Sequence, residues 1–172
     1  LPSQEIRAFD ETSLVPVMNT LPGVRMEQRA PGSYRIAIRG SALRAPFGVR
    51  NVKVYWNDIP FTDPSGSTAF NLLDVSNFGT VEVIKGPAGS VYGAGTGGVV
   101  NISSLPPQEE GSQIELGATV GSFGLQRYTA SVKRFSEQSR WAVRYAHQQA
   151  EGYRDHTEMK RDMLELRGEF DL

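Results

Sequence analysis

The stretch GTVEVIKGPAGSVYGAGTGGVVNI runs from Gly79 to Ile102. It opens as a strand, Val81-Glu82-Val83-Ile84-Lys85, breaks into glycines, and closes as a second strand, Val99-Val100-Asn101-Ile102. Six of the thirteen residues from Gly86 to Gly98 are glycine, and Gly93-Ala94-Gly95-Thr96-Gly97-Gly98 satisfies the G-x-G-x-x-G dinucleotide pattern. That pattern holds a pyrophosphate only when a helix N-terminus follows it. Here β-branched residues follow, so the match is one of composition. Glycines offer something else: positive φ, and backbone passing close to backbone. A strand, a Gly-Pro turn, a glycine-rich crossing and a returning strand make a compact, loop-rich unit suited to a tight enclosure.

Upstream, Leu14, Val17, Met18 and Leu21 recur at helical spacing within Ser13–Leu21, and Pro22-Gly23 stops that segment. Tyr34 to Arg39 alternates as a strand ended by Gly40. Asn51 to Trp56 is another, followed by a turn at Asn57-Asp58. Ala69 to Val75 has the pattern of a helical turn. These short pieces and long loops read as a small α+β domain. Leu105-Pro106-Pro107-Gln108-Glu109-Glu110-Gly111 reads as a linker.

Beyond the linker the texture changes to alternation with a period of two. Ile114, Leu116, Ala118 and Val120 oppose Gln113, Glu115 and Thr119. Tyr128, Ala130 and Val132 oppose Arg127, Thr129, Ser131 and Lys133. Trp141, Val143 and Tyr145 oppose Arg140, Arg144 and Gln148. Leu164, Leu166, Phe170 and Leu172 oppose Glu165, Arg167, Glu169 and Asp171. Two connections are tight, at Gly121–Gly124 and Ser136–Ser139; the third, from about Gln149 to Asp162, is expected to be long and polar. Four such segments match tilted membrane strands in length. The alternation alone fits a soluble antiparallel sheet with one wet face at least as well.

Composition narrows the chemistry. The 172 residues carry 18 Lys+Arg against 19 Asp+Glu, so no bulk field draws the chain to nucleic acid. There is no cysteine, which removes disulfides, thiolate metal sites and Cys nucleophiles. His147 and His156 do not make a zinc site between them. Asp63 to Asp74 has the length of an EF-hand loop, but Thr68 stands where that loop requires glycine. No stretch reaches the roughly 18 apolar residues of a membrane helix, and Leu1-Pro2-Ser3-Gln4 carries no leader signature. An enzyme is not expected, and neither is a cofactor or a metal.

Four ordered motifs are more specific. Asn19-Thr20-Leu21-Pro22-Gly23-Val24, Ile36-Ala37-Ile38-Arg39-Gly40, Val52 to Pro60, and Glu82 to Gly93 with Gly97 to Ile102 together resemble the plug domain of TonB-dependent outer-membrane receptors. Asn57-Asp58 departs from that family's usual Asp-Gly turn, and Lys85 stands where many members have arginine. The resemblance implies an α+β plug domain at residues 1–105, a linker at 106–112, and from 113 to 172 the first antiparallel strands of a truncated transmembrane β-barrel. It marks Gly86, Pro87, Tyr92, Gly93, Gly97 and Gly98 as plug turn and crossing residues.

The function implied is import of a scarce substrate across the outer membrane of a Gram-negative bacterium, driven by the partner TonB. A ferric siderophore is expected first; cobalamin, a glycan or a peptide are the alternatives. A soluble β-rich binding or adhesion module is the rival of another class. A TonB box is not present, and the chain reads as a fragment whose open strand edges would favour self-association in the absence of outer-membrane lipid. Apex loops are expected after the strands ending at Arg39 and Trp56. The candidate substrate contacts are therefore Arg39, Arg44, Phe47, Arg50, Phe61 and Asp63, arginines for anionic chelates and aromatics for their apolar rims. Pairing of Arg39 with barrel carboxylates, and simple packing of Phe47 or Phe61, are the plainer alternatives. Glu82 and Lys85 are expected to lock plug to barrel. Tyr153, Arg154 and His156 are expected in an extracellular loop.

Overall fold

The structure, a computed structural model, describes residues 1–2, 5–6, 8–41, 49, 51–86, 89–92, 97–104 and 111–170. Two compact units, Leu1–Pro106 and Pro107–Leu172, divide the chain.

In the first unit a one-turn helix, α1 (Val15–Met18), precedes the first described strand. Proline in its first turn pre-sets the helical φ. Leu14, Val17 and Met18 are buried in the core, and Gly23, at φ +75, turns the chain out of the segment that follows. Asn19 then acts as a strand partner for β1 (Val24–Ala30): its side chain donates to the Met26 carbonyl at 3.0 Å and accepts from the Met26 N–H at 2.7 Å. β1 pairs antiparallel with β2 (Ser33–Ile38) through a Pro31-Gly32 turn with Gly32 at φ +74, the backbone sign a proline-led type II turn requires. Val24, Met26, Ile36 and Ile38 point from this hairpin into the core.

A four-stranded sheet follows, ordered β4-β3-β6-β5. It comprises β3 (Val52–Trp56), β4 (Ile59–Pro60), β5 (Phe78–Lys85) and β6 (Gly98–Ser104). β3 and β6 are parallel, with Val52 opposite Gly98 and Trp56 opposite Ile102; β5 and β6 are antiparallel. Asn57 and Asp58, at φ +49 and +64, turn β3 into β4, the left-handed pair of a tight hairpin. The Asn57 carboxamide also accepts the Ser104 N–H at 2.8 Å, which ties the turn to the end of β6. The single helical turn expected from Ala69 to Val75 is two 3₁₀ turns, Phe70–Leu72 and Val75–Asn77. Asp74 separates them in extended backbone, and its side chain accepts the Ser76 N–H at 3.0 Å.

The second unit is a four-stranded meander of β7 (Gly111–Val120), β8 (Gln126–Phe135), β9 (Ser139–Ala150) and β10 (Met159–Phe170). Each strand pairs antiparallel with the next. The connection expected from Gln149 to Asp162 is shorter: β9 runs to Ala150 and β10 starts at Met159. At its start β10 carries Lys160 and Asp162 on the face that Leu164 and Leu166 continue, so the apolar–polar alternation does not reveal the strand there.

Candidate functional site

The glycines of the opening stretch act at close backbone crossings. Gly98 has φ +137, and a Cβ on it would meet the Ile84 carbonyl oxygen at 2.4 Å. A Cβ on Gly97 would meet the Ser41 side chain at 2.7 Å and the Asn51 carbonyl at 2.9 Å. The Gly97 N–H donates to that same Asn51 carbonyl at 2.8 Å. A strand, β6, follows Gly98, so the helix N-terminus a dinucleotide needs is not there. Tyr92 ends a short helix, α2 (Gly89–Tyr92), whose terminal carbonyl accepts the Tyr55 hydroxyl at 3.1 Å; the two rings meet edge to face at 5.4 Å. Gly86, at φ +107, leads out of β5. Pro87 and Gly93 lie outside the described residues.

The described candidate contact residues, Arg39, Phe61 and Asp63, do not gather at one point. Arg39, exposed and at φ +49, follows β2 beside Gly86: a Cβ on that glycine would lie 4.0 Å from the Arg39 guanidinium. Its neighbour Ser41 packs on Gly97, at the start of β6 and hence beside the start of β3. Trp56 and its turn are at the other end of β3. The two strand ends, each expected to lead into an apex loop, are therefore at opposite ends of the sheet, because β3 runs parallel to β6 from the glycine crossing outward.

Phe61 and Asp63 fall back from that turn. Phe61 is half-buried on the core, and its N–H donates to the Val54 carbonyl at 2.8 Å. Asp63 is exposed and closes its own loop, accepting the Ser65 hydroxyl at 2.7 Å and the Ser67 N–H at 2.9 Å. These two bonds hold its carboxyl below the usual value. Beneath the loop the buried hydroxyls of Thr62 and Thr68 meet at 2.8 Å, and Thr62 also accepts the Val54 N–H. Arg44, Phe47 and Arg50 lie outside the described residues. On β5, Glu82 is exposed opposite Asn101, and Lys85 is half-buried opposite Gly98.

The second unit is inverted relative to a soluble sheet. Its apolar face is open: Leu116 is 80% exposed and Leu166 70%, with Ile114, Val120, Leu164 and Phe170 similarly bare. Its polar face is covered: Arg127 is 1% exposed and Lys133 3%. On that face Lys133 reaches Glu115 at 3.0 Å, Arg144 reaches Glu165 at 3.7 Å, and the Arg161 guanidinium donates to the Gln148 side-chain Oε1 at 3.1 Å. Hiding one large aliphatic side chain from water is worth about 1.5–3 kcal/mol. Bare leucine on one face and buried arginine on the other reverse the usual distribution of a water-exposed sheet.

The sequence matches the family model described as TonB-dependent Receptor Plug Domain over residues 1–100. The chain belongs to the TonB-dependent receptor family. Members of this family are transport receptors. Among relatives, the chain is 32% identical over 119 residues to the vitamin B12 transporter BtuB of Vibrio vulnificus (strain CMCP6), an alignment covering 67% of this chain and 19% of that protein. It is 32% identical over 122 residues to the ferric-pyoverdine 358 receptor of Pseudomonas putida, covering 70% of this chain and 14% of that protein. The structure of the pyoverdine outer membrane receptor FpvA from Pseudomonas aeruginosa PAO1, bound to pyoverdine, superposes with a TM-score of 0.76 at 27% identity. That match covers 100% of this chain and 25% of the receptor. The chain thus spans a quarter or less of the proteins it matches. Within this family the chain supplies a plug domain followed by antiparallel strands, in a sheet that does not close.

Proposed function

We propose that the chain supplies the plug and opening barrel strands of an outer-membrane receptor that binds and imports a scarce substrate, a ferric siderophore first, with energy delivered by TonB. The observation that carries this reading is the inverted sheet directly following a plug: bare leucines on one face, buried arginines on the other. It favours the outer membrane of a Gram-negative bacterium over the soluble adhesion module. The ferric-pyoverdine and pyoverdine receptors among the similar proteins favour an iron chelate; the similarity to a vitamin B12 transporter makes cobalamin the second substrate to try.

Arg39, Arg44, Phe47, Arg50, Phe61 and Asp63 are proposed as substrate contacts in two groups. Arg39 belongs with the glycine crossing, Phe61 and Asp63 with the returning limb beyond the β3 turn. Glu82 and Lys85 are proposed to meet barrel side chains. Titrating the full-length receptor with a panel of ferric siderophores and cobalamin tests this. One ferric chelate should bind, and Arg44→Ala with Arg50→Ala should weaken it at least tenfold. Unchanged affinity in the double variant would remove the anion-contact role.

A further inference from the structure

The four-stranded sheet of the first unit ends at β5, and one residue already lies along its outer edge. The Leu1 backbone nitrogen donates to the Val81 carbonyl at 2.6 Å, and the Val81 N–H donates to the Leu1 carbonyl at 3.0 Å. Two residues that exchange both bonds are the hydrogen-bonded pair of an antiparallel ladder; parallel strands do not pair residue to residue in this way. Leu1 also packs half-buried against the core. Beyond it the Pro2 carbonyl accepts the Glu5 N–H at 3.1 Å and the Ile6 N–H at 3.2 Å, a turn that leads to buried Ile6. Leu1 thus stands where a strand along β5 would finish.

The parity of β5 says where the other rungs of that ladder lie. Backbone groups alternate from side to side along a strand. Val81 points its N–H and carbonyl at Leu1, so Glu82 and Ile84 point theirs at β6, opposite Asn101 and Val99. Two contacts agree: the Ile84 carbonyl is the group that a Cβ on Gly98 would strike, and the Gly86 N–H donates to the Gly97 carbonyl at 3.4 Å. Val83 and Lys85 therefore turn their N–H and carbonyl groups to the side where Leu1 lies. Among the described residues none pairs with them there. An open edge on a strand that carries Val81, Val83 and Ile84 is one that folded proteins cover.

We infer that the outer edge of β5 from Val81 to Lys85 is a strand-addition site, and that its occupant in the full-length receptor is the polypeptide leading into Leu1. The antiparallel register sets the rungs. The residue immediately before Leu1 stands opposite Glu82, the second opposite Val83, and the fourth opposite Lys85, about 14 Å along the strand from Val81. The ladder stops there, because Gly86 turns its N–H back to Gly97. Connectivity and pairing direction both select the chain itself: it is already bonded to this edge at Leu1, whereas a strand from another protein would have to displace it or begin beside it. The site is independent of which substrate is carried.

Hydrogen exchange and cysteine pairing in the full-length receptor, held in detergent micelles, test this. Proline at the second residue before Leu1 removes the N–H that the Val83 carbonyl accepts, and should speed exchange of the Val83 and Lys85 amides about tenfold or more. Proline at the first residue before Leu1, whose N–H points away from β5, should leave them protected. Glu82→Cys combined with a cysteine immediately before Leu1 should form a disulfide on mild oxidation, since a non-hydrogen-bonded pair lies about 4.5 Å apart at Cα. A cysteine four residues before Leu1 should not pair with it. Val83 and Lys85 amides that exchange as fast in the parent as in both proline variants would mean an uncovered edge and overturn the site. Protected amides without the disulfide would mean that another segment covers the edge, and equal loss of protection with either proline would remove the register; each overturns the assigned occupant. Should a proline variant fail to fold, the disulfide decides.

Discussion

A methyl group on Gly98 would sit 2.4 Å from a backbone carbonyl, at a φ of +137 that side chains rarely adopt. Nothing flexible is there to yield. Gly98→Ala should therefore cost about 3 kcal/mol or more, read as a lowered denaturation midpoint of the plug in the full-length receptor. Gly66 is the control: its φ is +83, but nothing lies within 4 Å of an added Cβ. Gly66→Ala should cost only about 1 kcal/mol, from backbone strain. Equal effects would mean that the crossing at Gly98 is looser than described. Asp63 gives a pH-dependent counterpart. Its folded pKa is depressed by the Ser65 hydroxyl and the Ser67 N–H. The closed loop is then favoured fully above the unfolded carboxyl value of about 3.9, and that contribution is lost as pH falls through the depressed folded value. The Ser67 amide resonance should move as acid is added, and Asp63→Asn should abolish that movement; an amide that titrates identically in the variant would assign the change elsewhere.

At the scale of elements, period-two alternation announced β7 to β10, but it could not say which face meets water. The same pattern serves a soluble sheet and a membrane wall; only the burial of Arg127 and Lys133 against the exposure of Leu116 and Leu166 decides. Leu166→Arg should thus destabilise the inserted receptor by about 2–4 kcal/mol, where on a water-facing sheet such a change stays within about 0.5 kcal/mol. Unfolding from lipid vesicles by urea distinguishes these outcomes. Two elements escaped sequence reading for local reasons. β1 does alternate, Val24 and Met26 inward against Arg25 and Glu27, but its run is short and a bulge between Gln28 and Ala30 breaks the period. The start of β10 puts Lys160 and Asp162 on the face that Leu164 and Leu166 continue, so it reads as loop until its pairing with Gln149 and His147 is known.

For the whole molecule, four motifs in order made the family legible, while the spatial grouping of the described candidate contacts was not. The sequence puts strand ends at both Arg39 and Trp56 and expects an apex loop after each; Arg39 lies by Gly86 at the glycine crossing, and the long-range parallel pairing of β3 with β6 carries Trp56 to the other end of the sheet. Such pairings leave no local signature in either strand. The glycines, by contrast, were legible as crossing residues because the requirement is local to the residue itself. The central claim is that this plug and inverted sheet belong to a TonB-driven importer. Uptake of labelled ferric siderophores and cobalamin should be measured in cells carrying or lacking the full-length gene, with the proton gradient intact or collapsed. Loss of uptake of one ferric chelate on deletion, and equally on collapse of the gradient in the parent cells, is the predicted result. Uptake unchanged by deletion for every compound, or uptake that survives collapse of the gradient, would contradict it.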